Sequence, residues 1–516
     1  MVNRKEYNPS FAVVYLDNQS LSFLESNFEI PLVESFVKKL HKVFPNLTIH
    51  MNVSTSIKSK LDGTGISKSF VLYELSISEI EFIKQIGSKL PESIFKDPEW
   101  DEVCFLYFTG ISPLLDPTLT EKIWNRHKNF FCQYSYSENL PPGLIPTVIS
   151  REFLSSLPDK LTTDIHSFFL KNINQYDVDI FFQSPDLRQL RLDFRYHSMR
   201  SKVLIKGLLA ISEEIPYQNL HNTLKENPKL YRSSPSYLEW EIYKGCELFC
   251  VFCPREFVDK SNDGTAVSLS SVSSIIQQLE KGLTSPITIS LSGNGEPLLH
   301  PELTQIVKEI LKLSFLKELI IETALYKNVD VLVSLIQELD QEKKEKLCII
   351  ANVSTLKEDT YKSLYGKNGL KQVLDDVDSL SKILPQNSLY VQMIKMKEVE
   401  EEIDPYFTNF EKKGINVILQ KYNRFAEKLP ERRVSDLTPI HRDFCWHLTR
   451  DIYLNVTGDV SICKQNQSKI IGNLEKDGYE TIWQNGLEFF QNSFVGNHEK
   501  IPAPCLNCDE WYTFNA

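Results

Sequence analysis

Cys246, Cys250 and Cys253 fall within eight residues, in the run Gly245-Cys246-Glu247-Leu248-Phe249-Cys250-Val251-Phe252-Cys253-Pro254. Soft thiolates this close together bind zinc or an iron-sulfur cluster. A structural zinc site wants four ligands, and only three are local here. A cubane held by three thiolates keeps one iron open, free for a small ligand that chelates through an amine and a carboxylate. Three buried or zinc-bound cysteines are the plain alternative.

A second group comprises Cys445, Cys463, Cys505 and Cys508, spaced C-x17-C and, after a gap, C-x2-C, with Gly458 five residues before Cys463. Four thiolates, two on or near a hairpin and two on a terminal turn, suit a fully ligated zinc ion or cubane, with no position left for substrate. A thioredoxin-like reading of the terminal pair lacks the required βαβ surroundings. Cys104, Cys132 and Cys348 lie in apolar or strand-like contexts and read as buried spectators.

The elements that must position these thiols follow from periodicity. A strand at residues 237–243 leads into the first cysteine loop. Val272, Ile275, Ile276 and Leu279 then follow the spacing of one helix face, stopped by Gly282. Strand 287–292, a helix through Leu303, Ile306, Val307 and Ile310, strand 318–322, a helix through Leu332, Leu335, Ile336 and Leu339, and strands 347–354, 389–396 and 416–420 continue the alternation. Six strands in βα rhythm predict a parallel sheet, open or curled into a partial barrel. From residue 443 the pattern changes to a β-hairpin: Ile452, Leu454 and Val456 alternate, Thr457-Gly458-Asp459 turns, and Val460 and Ile462 return. Residues 213–236, polar and broken by Pro216, Pro228 and Pro235, mark a domain junction. Before it, strand-like runs at 11–16 and 101–108 and a helical run at 31–43 predict a separate α/β domain.

The C-x3-C-x-aromatic-C loop after a first strand resembles the radical S-adenosylmethionine (SAM) superfamily, whose core is a (β/α)6 partial barrel. The resemblance covers residues 237–423. It implies that Cys246, Cys250 and Cys253 hold a 4Fe-4S cluster which cleaves SAM to a 5′-deoxyadenosyl radical. Ser292-Gly293-Asn294-Gly295-Glu296-Pro297 looks like the family's GGEP loop with Asn294 in place of its first glycine, and glycines let peptide groups approach the SAM amino group. Glu322, Thr323, Asn352 and Ser354 at strand ends, and Gln392 within a strand, stand where barrel chemistry sits, and the resemblance implies contacts to SAM or substrate. Each is otherwise a solvated residue or helix cap. Phe252 is expected to pack on the adenine.

The second cysteine group resembles the truncated SPASM module, or Twitch fold, which holds one auxiliary 4Fe-4S cluster. Phe514 occupies the place where a C-x5-C step would bring in a second. In the first domain, residues 104–116 and Asn139-Leu140-Pro141-Pro142-Gly143 look like pieces of a Rossmann-type GT-A nucleotidyltransferase. No glycine precedes Gly63, and Ile111 stands where a metal-binding Asp belongs, so the domain is expected to present substrate or dock, not to catalyse. The combination resembles the spiroSPASM group. The resulting expectation is an α/β protein with a GT-A-like domain at 1–212, a radical SAM core at 235–430 and a β-hairpin/helix iron-sulfur domain at 440–516.

Composition sets the remaining bounds. A net charge of −11 disfavours nucleic acid, and no run approaches a membrane span or secretory core. Clustered thiols fit a reducing cytoplasm. The resemblance further implies a flavodoxin- or ferredoxin-type electron donor and a peptide or a sugar- or nucleotide-linked small-molecule substrate. The competing reading is a non-catalytic iron-sulfur electron carrier or redox sensor. A third, an active nucleotidyltransferase, needs metal carboxylates that the first domain lacks.

Overall fold

The computed structural model describes residues 8–74, 77–89, 103–257, 263–435 and 443–511. Asp101 and Glu102 of the expected second strand, and Phe514, lie outside them. The chain divides into two compact units between Leu230 and Tyr231, within the proline-broken stretch.

The first unit is built on a seven-stranded sheet: β1 (Ala12–Val14), β2 (Ile49–Asn52), β3 (Phe70–Tyr73), β4 (Cys104–Phe108), β5 (Tyr134–Tyr136), β6 (Thr147–Ser150) and β7 (Val178–Ile180), in the order β3-β2-β1-β4-β6-β5-β7. β3, β2, β1 and β4 run parallel, whereas β6 is antiparallel to both of its neighbours. The helix Ile30–Val43 buries Leu32, Val33, Phe36, Val37 and Leu40, the stripe its sequence spacing predicts. Ile111 is fully buried, and Asp116 caps the helix Pro117–Phe130 by accepting from the Leu119 N–H at 2.9 Å.

The second unit contains the six strands expected from the alternation: β8 (Tyr237–Trp240), β9 (Ile287–Leu291), β10 (Leu316–Thr323), β11 (Leu347–Asn352), β12 (Leu389–Lys395) and β13 (Asn416–Lys421). They pair in parallel in sequence order. Right-handed crossovers that always step in one direction put every connecting helix on one face, and the other face can curl around its own side chains. Those inward side chains form two layers, because positions two apart on a strand share a face. Tyr237, Ile320, Cys348, Ile350, Tyr390 and Ile418 pack together as an apolar floor. Two residues further along each strand stand Glu239, Glu322, Asn352, Gln392 and Gln420, a polar layer above it.

The C-terminal hairpin does not form a sheet of its own. β14 (Asp451–Leu454) pairs in parallel with β8, and β15 (Asp459–Ser461) and β16 (Ile470–Asn473) extend the sheet to nine strands. An edge strand at β8 would leave a row of backbone donors and acceptors unpaired, and β14 satisfies them. All four residues of β14 are buried, so the expected alternation is lost on a strand covered on both faces.

Arg232 fastens this extension from inside. It is 6% exposed, its Nε donates to the Leu448 carbonyl at 2.8 Å and its Nη1 to that of Trp483 at 2.5 Å, and the guanidinium lies 3.4 Å from the Trp483 ring centre. Arg232→Met leaves two buried carbonyls without donors. A loss of about 2–4 kcal/mol in the stability of the second unit is expected in denaturant titration; an unchanged midpoint would show that the guanidinium carries no such role.

Candidate active site

Each of the six parallel strands, or the residue just beyond it, contributes to one cavity at the carboxyl end of the sheet: Glu239, Ser292, Glu322, Asn352, Ile394 and Gln420. Cys246, Cys250 and Cys253 line the same cavity, as do Phe252, Gly293, Asn294, Gly295, Glu296 and Thr323. The three cysteines face one cavity because their loop is anchored by hydrogen bonds to backbone carbonyls. The Phe249 and Val251 N–H groups donate to the carbonyls of Tyr365 (3.0 Å) and Leu364 (2.9 Å), and Arg255 Nη1 donates to the Cys246 carbonyl at 2.8 Å.

On the opposite side the glycine loop lies directly on the peptide chain leading into the cysteines. The Glu296 N–H donates to the Gly245 carbonyl at 2.9 Å, and a Cβ on Gly295 would stand 1.7 Å from the Tyr243 carbonyl oxygen. Gly293 has φ of +102°, a conformation that L residues rarely adopt. Glu296 is buried and its carboxylate accepts from Thr323 Oγ1 (2.6 Å) and from the N–H groups of Ala324 (3.0 Å) and Leu298 (3.1 Å). Glu296 and Thr323 thus clamp the glycine loop to the end of β10. Phe252 meets Tyr365 edge-on, with ring centres 5.3 Å apart.

Three expected SAM contacts do not line the cavity. Pro297 is buried at the start of a 3-10 turn (Pro297–Leu299). Ser354 is fully buried, and its Oγ accepts from the Ile394 N–H at 3.2 Å. Gln392 is 4% exposed and donates through Nε2 to Asn352 Oδ1 (2.6 Å) and Glu322 Oε1 (3.1 Å), so it orients the two groups that do reach the cavity.

The second cysteine group is also assembled. Cys445, Cys505 and Cys508 are buried and Cys463 nearly so, and none of the ten cysteines in the chain forms a disulfide. The Cys445 N–H donates to Ser493 Oγ at 2.9 Å, and Trp511 Nε1 donates to the Cys505 carbonyl at 3.0 Å. Burial, and then the charge of the neighbouring cysteines, pushes the Cys463 and Cys505 thiols up to about 12 and Cys445 and Cys508 upward as well. Burial likewise raises Cys246 to about 11 and Cys250 well above the ordinary thiol value. The thiols of each group lie in electrostatic range of one another without converging on one point, and among the described residues no three His, Cys, Asp or Glu side chains are placed to hold a single metal ion. As a donor set, thiols that form no disulfide, grouped beside a glycine cradle, fit an iron-sulfur cluster and a chelating ligand.

Comparison with known proteins agrees. Residues 240–417 match the radical SAM superfamily, and residues 445–509 match the SPASM iron-sulfur cluster-binding domain. The chain is a radical SAM enzyme. It has the partial-barrel core of that superfamily, a SPASM domain for auxiliary iron-sulfur binding, and SAM-dependent radical chemistry. An uncharacterized protein of Treponema pallidum is 26% identical over 364 residues, 69% of this chain and 99% of its own length. A GTP 3′,8-cyclase of Lactiplantibacillus plantarum is 27% identical over 292 residues, 54% of this chain and 78% of its own. Among solved structures, Streptococcus suis SuiB bound to precursor peptide SuiA matches 70% of this chain and 84% of that one at 15% identity, with a TM-score of 0.41. BtrN in complex with AdoMet and 2-DOIA matches 55% and 93% at 18% identity, with a TM-score of 0.34.

In this radical SAM enzyme the two cysteine groups are joined by residues that sequence reasoning missed. Glu241 accepts from the Tyr453 hydroxyl (2.6 Å) and the Asn294 N–H (3.1 Å), while Asn294 Nδ2 donates to Gln467 Oε1 at 2.7 Å. Asn294, the departure from the family's glycine, therefore ties the glycine loop to the SPASM segment. Lys464, next to Cys463, lies 3.4 Å from Glu239 Oε2. Burial alone would lower the Lys464 ammonium, but Glu239, Glu322 and Glu510 outweigh it and hold the group above its usual range. No local signal marks Glu239, Glu241 or Tyr453, since each acts across a strand pairing. In Gly295→Ala the new methyl overlaps backbone and cannot be relieved by a rotamer change. Purified protein is expected to hold markedly less iron per chain and to melt lower; normal iron loading would contradict the packing.

Proposed function

We propose that Cys246, Cys250 and Cys253 hold a 4Fe-4S cluster whose fourth iron takes SAM, and that Cys445, Cys463, Cys505 and Cys508 hold one auxiliary 4Fe-4S cluster. The observation that carries this reading is the shared cavity: three thiols from one loop, the Gly293–Gly295 edge and Phe252 all face the same space. With SAM bound, the first cluster supplies one-electron cleavage of the sulfonium and a 5′-deoxyadenosyl radical that abstracts hydrogen from a substrate.

The chain's own residues divide the remaining work. The peptide groups of Gly293, Asn294 and Gly295 receive the SAM amino group, and Phe252 covers the adenine. Glu322, held by Gln392 and Asn352, is presented to ribose or substrate. Glu296, Thr323, Ser354 and Pro297 shape the pocket from behind. Four thiolates saturate the auxiliary cluster, which suits it to relay or accept an electron. A flavodoxin- or ferredoxin-type protein in the cytoplasm supplies the reducing electron. The substrate is a peptide or a sugar- or nucleotide-linked molecule; sequence likeness to proteins named GTP 3′,8-cyclase supports the nucleotide-linked class. The first unit, GT-A-like and non-catalytic as in the spiroSPASM group, presents substrate or docks.

After anaerobic reconstitution the native chain is expected to hold about eight irons and each single-cluster variant about four. Cys250→Ala should lose SAM-dependent 5′-deoxyadenosine formation entirely, whereas Cys505→Ala should retain part of it, as read by chromatography of the quenched reaction. Full activity in Cys250→Ala would refute the assignment.

A further inference from the structure

The first unit holds a second cavity that the radical chemistry does not use. In its sheet, β1 is flanked on one side by β2 and on the other by β4, so the strand order reverses there. Open α/β sheets bind ligands beyond the carboxyl ends of strands at such a switch point. At that position lies a cavity of about 430 Å³, reached by Tyr15 and Asp17 past β1 and by Thr109 past β4.

Its lining is acidic and aromatic. Asp17, Glu79 and Asp164 contribute carboxylates, His166 an imidazole, and among the described residues Arg195 is the one Lys or Arg on the wall. The Arg195 guanidinium is already held by Asp193, with Nε at 3.0 Å from Oδ1 and Nη2 at 2.5 Å from Oδ2. Glu79 is fixed as an acceptor, with the Tyr107 hydroxyl and, at 2.9 Å, the Ile165 N–H donating to its carboxylate. The rings of Tyr134 and Tyr136 complete the wall, their centres 6.0 Å apart.

Tyr136 is the informative residue. It is 5% exposed and lines the cavity, yet its hydroxyl meets no hydrogen-bond partner among the described residues. Its ring is buried while its hydroxyl opens onto the cavity, where it can accept from a donor that enters. A nucleotide, suggested by the GT-A resemblance, would bring phosphates against three carboxylates, with no Lys or Arg among the described wall residues besides the Asp193-held Arg195 to receive them.

We propose that this cavity binds an organic cation. An ammonium or guanidinium group sits against the tyrosine rings, faces the carboxylates of Asp17 and Glu79, and donates one N–H to the Tyr136 hydroxyl. A free polyamine and a lysine or arginine side chain of a peptide share this chemistry, and the second source would make the first unit a substrate-presenting module.

The full-length protein is titrated calorimetrically with cadaverine, with the capped tripeptide acetyl-Gly-Lys-Gly-amide and with Mg–UTP. Saturable binding of cadaverine or the peptide is expected, the tighter of the two naming the source, with affinity falling as salt rises. Tyr136→Phe removes a hydroxyl without a partner among the described residues, and Asp17→Asn keeps a residue competent to cap the helix Asn18–Asn27, where Asp17 accepts from the Ser20 N–H at 2.7 Å; each should fold normally by circular dichroism and weaken the cation about tenfold. The proposal is overturned if neither cation binds the native chain, if both variants bind as the native chain does, or if Mg–UTP binds in their place.

Discussion

The site depends on two backbone junctions on either side of the first cysteine loop. The loop carrying three thiols in eight residues has no helix or strand of its own, so its shape must be imposed by neighbours. The helix end at Leu364 and Tyr365 accepts N–H groups from one side, and the glycine loop presses on Tyr243 and Gly245 from the other. Both contacts are peptide to peptide. That is why Gly295 has no room for a side chain, and why the carboxylate of Glu296 serves to lock the loop to β10.

The SPASM segment is built into the same frame. Through β14 it continues the parallel sheet at β8, and at the far edge Lys421, the last residue of β13, pairs with Glu510 at 3.2 Å. One short polypeptide, 451 to 511, therefore touches both edges of the six-stranded set. Tyr453, Lys464 and Gln467 reach from it to Glu241, Glu239 and Asn294. A partly buried lysine among carboxylates is tolerable where charges balance, and removing one member would leave the others uncompensated.

Much of this was legible in the sequence. Helical faces such as Val272, Ile275, Ile276 and Leu279 are buried as their spacing predicts, and the six strands lie where alternation placed them. Local spacing keeps the first group on one loop, three thiols within eight residues, whereas the second draws on residues 445, 463, 505 and 508, far apart in the chain. Side-chain roles were less legible. Ser354, two residues past β11, and Gln392, within β12, stand where they could face a ligand, but which partner takes their polar atoms depends on the neighbouring strand. The union of β14 with β8, separated by more than two hundred residues, has no local signature, and with it went the standing of Glu239, Glu241 and Tyr453. In the first unit, the Tyr136 hydroxyl, which has no partner among the described residues, could not be distinguished by sequence from that of any other buried tyrosine.

The measurement that bears most directly on the account is electron paramagnetic resonance of the dithionite-reduced protein during addition of SAM. A cubane held by three thiolates at Cys246, Cys250 and Cys253 should show one signal whose g-values shift on SAM addition and saturate at one equivalent, while the signal of the SPASM site stays fixed. Spectra that do not respond to SAM at any ratio would contradict the open iron on which the account rests.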